Sequence, residues 1–308
     1  MLVFNAMKKY IVRIIIFFAI VVLVDIIVGL AGDYLQAHAK GGDTKAINDL
    51  VKKDQHDILI LGSSRAHHHY DTPFLYDTLN LDIYNAGYDG NGVILAYGIL
   101  QMVLERYEPK LVVFDVEPSF DINVYAPDNN NTRYLKFLKP YYQEPGIEQI
   151  FKDVSYKEWY KVHSGLIRYN TDIISKLTDC FKGASAFPCG YAPMSGEMKE
   201  DREMELEAPI PVDSLKLSYV GNLIDLAKSR NIPIVLVSSP KYGAHNSEVL
   251  NPVKEICKSR GVKFLDYYAD EEIVTHKEWF KEPMHLNAAG ARIYTNRMLG
   301  EITSILSE

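Results

Sequence analysis

Asp57-Ile58-Leu59-Ile60-Leu61-Gly62-Ser63-Ser64-Arg65 is the stretch on which the fold turns. Its first half is a short apolar run, the composition expected of a strand covered on both faces. It stops at Gly62-Ser63-Ser64, small residues suited to a tight strand-to-helix turn. Similar strand candidates recur at residues 81–85, 110–116, 233–238 and 262–266, separated by helical patterns such as 93–107 and 215–230. Strands alternating with helices predict an α/β domain with a three-layer, doubly wound parallel sheet and right-handed crossovers.

The alternation breaks between about residues 123 and 211. This stretch holds Asn129-Asn130-Asn131, the pair Tyr141-Tyr142, and helical runs near 146–160 and 164–182. It reads as a helical insertion over one edge of the sheet, either a lid or substrate platform or a purely structural subdomain. The charged run 197–207 is most simply a solvated loop. Cys180 and Cys189 can close a small loop in an oxidising compartment, whereas Cys257 lies in a helical run and reads as a buried thiol.

The chain has 308 residues, 47% hydrophobic and 24% charged, which excludes a disordered, collagen-like or coiled-coil protein. Its 33 basic and 40 acidic residues give a net charge of −7, so no overall basic field draws it to nucleic acid. Three cysteines are too few for a disulfide-built scaffold. The 21 tyrosines are numerous; some suit a sugar-binding surface, and most are expected simply to pack.

The apolar content is concentrated at the amino terminus. Lys8, Lys9 and Arg13 precede a run, 14–31, that is apolar except for Asp25, and Asp33 follows it. A helix of that length spans roughly 27 Å, near the thickness of a bilayer core. The charge order predicts a cytoplasmic amino end and a globular part in the periplasm or outside the cell. Ala37-His38-Ala39 offers a signal-peptidase pattern, but the apolar run is longer than a usual signal core and the gap to the cut is long. The expected organisation is therefore residues 1–31 as cytoplasmic terminus and transmembrane anchor, 32–53 as a largely polar stalk with one short helix, and 54–308 as the α/β domain. Asp25 lies toward the outer end of the span, where it either meets a membrane partner or is solvated near the interface.

Two segments carry the chemistry. A serine at the carboxyl end of the first strand stands where doubly wound sheets collect their ligands, with its backbone N–H placed to help bind an oxyanion. Near the carboxyl terminus, Glu282-Pro283-Met284-His285-Leu286-Asn287 sets a carboxylate three residues before a histidine. Such a carboxylate can orient the ring while the histidine takes the serine proton. His67-His68-His69 cannot all face one point, so no metal site is expected from these three alone. Asp115, Glu117 and Asp121 either bind a cationic group or divalent ion or, as the commoner case, are solvated loop carboxylates. Lys241, after Ser238-Ser239-Pro240, is a substrate-contact candidate on the same rim. The glycines Gly87, Gly90 and Gly92 do not make a dinucleotide fingerprint.

In these blocks the chain resembles the SGNH (GDSL-like) hydrolase superfamily, in particular its membrane-anchored cell-envelope branch, over roughly residues 54–122 and 230–305. The resemblance implies a flavodoxin-like strand order 2-1-3-4-5. It also implies Ser64 as nucleophile, since Gly62-Ser63-Ser64 stands where that family has Gly-Asp-Ser. Asn85-Ala86-Gly87 nominates the Gly87 N–H for the oxyanion hole. Glu282 and His285 match the family's Asp-x-x-His, with glutamate replacing aspartate. The third block of the family, Gly-x-Asn-Asp, is replaced here by Asp115-Val116-Glu117-Pro118. The hole would then rest on Ser64, Gly87 and Asn91, with one donor fewer, a deficit worth about 3 kcal/mol.

The resulting expectation is a membrane-anchored serine esterase, deacylase or O-acyltransferase acting on an acylated envelope glycan or another ester, without cofactor. Transfer would need an acyl-donor protein in the membrane. The competing expectation is a glycan-binding or assembly protein that kept the fold and lost the chemistry.

Overall fold

The computed structural model describes residues 2–124, 131–170, 172–183, 187, 189–199 and 211–307, with side chains from residue 7 onward. The chain opens with α1 (Leu2–Ala37) and α2 (Gly42–Lys52). The first half of the α/β domain follows as β1 (Ile58–Gly62), α3 (Ser64–His69), α4 (Thr72–Leu79), β2 (Ile83–Gly87), α5 (Val93–Leu104), β3 (Leu111–Asp115) and α6 (Pro118–Asp121). A 3₁₀ stretch (Asn131–Tyr141) then leads into α7 (Ile147–Val154), α8 (Tyr156–Val162), α9 (Gly165–Tyr169) and α10 (Ile173–Asp179). The second half contains α11 (Ser214–Ser229), β4 (Ile234–Ser238), α12 (Asn251–Arg260), β5 (Phe264–Asp266) and α13 (Glu271–Val274). It closes with β6 (Phe280–Glu282), β7 (His285–Leu286) and α14 (Ala288–Ser307).

Strands β1 to β5 form one parallel sheet in the order β2-β1-β3-β4-β5, the doubly wound order that the family resemblance implies. Alternate residues of each strand feed opposite faces, as a period of two demands. Leu59, Leu61, Val112, Phe114 and Leu236 pack under α5 and α11, while Ile58, Ile60, Val113, Val235 and Val237 pack under α3 and α14. Gly62 pairs with both Gly87 and Asp115, so these three residues form a row at the carboxyl edge.

Residues 32–53 are not a free stalk. Ile47, Leu50 and Val51 are buried in the core that also holds α5. Their i, i+3, i+4 spacing makes one narrow apolar stripe on an otherwise polar helix, and average polarity hides such a stripe. The insertion is helical, as anticipated, and Tyr134, Leu138, Tyr141, Ile150 and Phe151 bury into the same core. Cys180, Cys189 and Cys257 are free thiols, so the loop-closing bridge between the first two is not formed.

Helix α1 runs unbroken, and residues 7–37 are long and apolar enough to cross a membrane. Its carboxyl-terminal end is fastened to the insertion. The Asp25 carboxylate accepts hydrogen bonds from Ser164 Oγ (2.5 Å), Gly165 N (3.2 Å) and Leu166 N (2.9 Å). Asp33 accepts from Tyr169 Oη at 2.5 Å and from Arg168 Nη2 at 3.3 Å. Gln36 donates to Asn48 Oδ1 and Tyr141 Oη and accepts from Lys176 Nζ.

Candidate active site

Gly62 turns the chain out of β1 with φ +149°, and a Cβ there would stand 2.8 Å from both Ala66 Cβ and Asp115 O. The turn therefore requires glycine. Ser63 caps α3 by accepting from Arg65 N at 3.3 Å, which leaves Ser64, half-buried, at the start of the helix.

The hairpin of β6 and β7 brings the second segment to the same edge, pairing Glu282 with His285. His285 Nε2 lies 2.7 Å from Ser64 Oγ. The ring's other nitrogen, Nδ1, is hydrogen-bonded to Glu282 Oε1, while Glu282 Oε2 accepts from Met284 N at 3.0 Å. An ionised carboxylate only accepts, so Nδ1 carries the proton and Nε2 turns a lone pair to the serine hydroxyl. The extra methylene of glutamate is accommodated by the hairpin turn, whose own amide holds the carboxylate in place.

Behind this row lies a buried polar layer. His69, fully buried, accepts from Leu286 N on Nε2 (3.0 Å) and so donates through Nδ1 to Ser239 Oγ (2.9 Å). Burial, reinforced by the charge of Arg65, holds the His69 imidazole well below the usual histidine range. Arg65 is also fully buried; its Nε donates to Ser239 Oγ at 3.2 Å and its guanidinium lies over the Tyr268 ring. Ser239 N in turn donates to Asp115 Oδ1 at 3.2 Å. Burial raises the Asp115 carboxyl above its ordinary range, with the Arg65 charge opposing that rise.

Asp115, Glu117 and Asp121 are therefore not solvated loop carboxylates; all three are buried. Asp121 accepts from Val93 N (2.7 Å) and Glu117 N (2.6 Å), and Glu117 accepts from Phe120 N, so both hold local backbone in place. Burial pushes the Asp121 carboxyl well up.

Of the two further oxyanion candidates, Gly87 has its single N–H engaged and Asn91 has one of its two side-chain N–H donors engaged. Gly87 N donates to Asn85 Oδ1 at 3.0 Å, and Asn91 Nδ2 donates to Asp89 O at 2.9 Å. Gly87 cannot carry a side chain, because a Cβ would stand 2.4 Å from His67 N. Lys241 is buried on the rim, its Nζ 5.9 Å from the centroid of the Tyr268 ring.

Two of the three consecutive histidines do converge, on Asp89. His67 Nδ1 is 2.9 Å and His68 Nε2 3.2 Å from Asp89 Oδ1, with the rings stacked and His68 Nδ1 bound to Ala192 O at 2.6 Å. Among the described residues this trio could hold a metal ion. Burial opposes charge on His68, but its bonds to Asp89 and Ala192 win and raise its pKa. The matching bonds hold the Asp89 carboxyl well below its ordinary range against the cost of burial. A cleft of about 380 Å³ opens beside this cluster, lined by Gly42, His67, Tyr84, Asn85, Gly87 and Tyr88 among others.

Sequence reasoning missed Arg65, His69, Ser239 and Asn85. The signal lay in their neighbours: Arg65 and His69 share the short helix that begins with Ser64, and Ser239 follows the fourth strand. Asn85 was read only as part of a glycine motif, yet its Nδ2 ties β2 to Ala66 O at 2.7 Å. The tyrosines mostly pack, as expected: Tyr70, Tyr134, Tyr141, Tyr169, Tyr219 and Tyr294 are fully buried.

No protein-family model and no curated protein matches the chain. Solved structures do. One, provisionally described as a platelet activating factor from Streptococcus pneumoniae, is 12% identical, with a TM-score of 0.44 over 94% of this chain and 99% of its own. A G-D-S-L family lipolytic protein, so described provisionally, from Desulfitobacterium hafniense is 11% identical, with a TM-score of 0.36 over 81% and 99%. The SGNH-hydrolase family esterase AlinE4 is 10% identical, with a TM-score of 0.35 over 82% and 97%. These are likenesses at low identity.

Proposed function

We propose that this chain is a membrane-anchored SGNH-type serine esterase or O-acyltransferase that forms an acyl-enzyme on Ser64. The observation that carries the reading is the 2.7 Å contact of His285 Nε2 with Ser64 Oγ, with Glu282 on the opposite ring nitrogen. Ser64 Oγ attacks an acyl carbonyl as its proton passes to His285 Nε2, and Glu282 stabilises the imidazolium that results. His285 then protonates the departing oxygen. Water or a sugar hydroxyl, deprotonated by the same nitrogen, attacks the acyl-enzyme and frees Ser64.

The cleft beside His67, Gly87 and Tyr88 supports an ester-bearing glycan as substrate, since its aromatic and carboxylate groups suit sugar rings and hydroxyls. The order of charges around residues 14–31 supports a cytoplasmic amino end and an outward-facing domain. In that setting, transfer would draw its acyl group from a donor protein in the membrane.

A second reading, a glycan-binding or assembly protein without turnover, is favoured by one observation. The Gly87 N–H serves an internal acceptor, and no asparagine stands at residues 115–118. A fluorophosphonate probe separates the two. Labelling of the wild-type chain that disappears in Ser64→Ala supports catalysis, and equal labelling of both, or of neither, overturns it.

A further inference from the structure

We infer that α9 and α10 are seated in the outer face of the bilayer beside α1, with lipid acyl chains covering Ile167, Ile174, Leu177 and Phe181. The inference rests on reading α1 as a membrane span and goes beyond it, because an anchor alone would let the domain stand clear of the surface.

Three observations carry it. The first is exposure. Ile167, Ile174, Leu177 and Phe181 are 42%, 73%, 47% and 83% exposed, a concentration of bare aliphatic and phenyl surface on α9, α10 and the turn that follows α10. Ile174 and Leu177, at i, i+3 spacing, share one face of α10, and Phe181 lies in the turn just beyond the helix end. The opposite side of α10 turns Lys176 and Asp179 inward, toward Gln36 and Thr44. A helix with its polar side packed on protein and its apolar side bare is inverted for water and correct for lipid.

The second is depth. Asp25 lies six positions before the end of the apolar run at residue 31, which is about 9 Å along a helix. The start of α9 is pinned there by all three hydrogen bonds to Asp25. The polar layer beyond the hydrocarbon is only about 5–8 Å thick on each side. A segment fastened to Asp25 therefore reaches the edge of the hydrocarbon whenever α1 spans.

The third is the contact itself. A Cβ on Gly165 would stand 2.4 Å from Asp25 O and 2.5 Å from Gly29 Cα, so the two backbones touch through glycines. Close approach through small residues is how helices associate where lipid removes the hydrophobic drive. Arg168, paired with Asp33 one turn further out, and exposed Tyr156 and Tyr160 supply the polar and aromatic groups expected at a headgroup boundary.

The test uses the full chain reconstituted in phosphatidylcholine–phosphatidylglycerol vesicles with brominated acyl chains, which quench tryptophan on contact. Ile174→Trp and Phe181→Trp replace exposed side chains and leave packing intact. Ile20→Trp in α1 reports the span, exposed Lys258→Trp on α12 reports water, and the wild-type signal from Trp159 and Trp279 is subtracted. The expected result is quenching at positions 174 and 181 comparable to that at 20, with none at 258. Quenching at 20 alone overturns the seating while the anchor stands. No quenching at 20 removes both. A concentration-dependent blue shift at 174 and 181 without bromine quenching assigns the face to a second protein chain and also overturns the proposal.

Discussion

The amide of Leu286 donates to Nε2 of His69 across 3.0 Å, and this bond fixes the strand residue next to His285. His69 sits on the same short helix as Ser64, so one buried ring ties the serine's helix to the histidine's strand. It touches neither reacting atom and acts as a positioning residue.

Replacing His69 by alanine should therefore lower turnover about 100-fold through misplacement of His285. It should also cost about 1–3 kcal/mol of stability, because the buried Leu286 amide loses its acceptor. KM should change little, and the split between kcat and KM distinguishes loss of alignment from loss of substrate contacts. Unchanged kcat in a folded variant would refute the positioning role.

The same residue sets a pH dependence. The folded pKa of His69 is depressed, so the unfolded chain binds the proton first as pH falls below the ordinary value of 6.5. Its contribution is complete above pH 6.5 and shrinks below it, by at most about 1.4 kcal/mol per pH unit. His68, with a raised pKa, contributes in the opposite sense, and its share is lost as pH rises through the folded value. Urea midpoints of wild type and His69→Gln between pH 8 and 5 isolate the first effect: wild type should lose stability faster on acidification.

Glu282→Gln keeps the shape but removes the charge that fixes the His285 proton on Nδ1. Hydrolysis of an activated ester should fall by up to roughly 10⁴-fold with the fold intact. Glu282→Asp should recover part of that loss if the hairpin can bring the shorter side chain to the ring. A pH–rate profile unaltered in Glu282→Gln would show that the carboxylate does not orient the histidine.

Leu50→Ala tests whether α2 belongs to the core. At 1% exposure Leu50 should cost about 2–5 kcal/mol on truncation, whereas a stalk residue would cost next to nothing. Chemical denaturation of a chain lacking residues 1–31 gives the difference directly, with Lys53→Ala as the exposed control.

The sheet could be read in the sequence because each strand is a short apolar run that must be buried on both faces, whereas the strand order came only from the family resemblance. Ser64, Glu282 and His285 could be nominated because each sits in a local motif. The polar layer beneath them could not. Arg65, Asp115 and Ser239 look like ordinary surface residues until the sheet stacks their strand ends together. The Asp89 meeting with His67 and His68 depends on where β2 ends, and Gly87 was nominated without knowing that Asn85 would take its amide. The short helix in residues 32–53 was legible but its docking was not, because its buried stripe is only Ile47, Leu50 and Val51, three residues in eleven.

The Asp25–Ser164 bond joins positions 139 residues apart, and this separation has a consequence for how the protein is made. Synthesis delivers α1 long before α9 exists, so the carboxylate must wait in its helix without the groups that later satisfy it. On the proposed reading of α1 as a span, the leading segment is at that stage a poorer membrane helix than it becomes once Ser164, Gly165 and Leu166 reach Asp25. Completion of the trailing domain would strengthen its own tether, and a chain stalled or cut before residue 164 should be easier to extract from the bilayer than the finished protein.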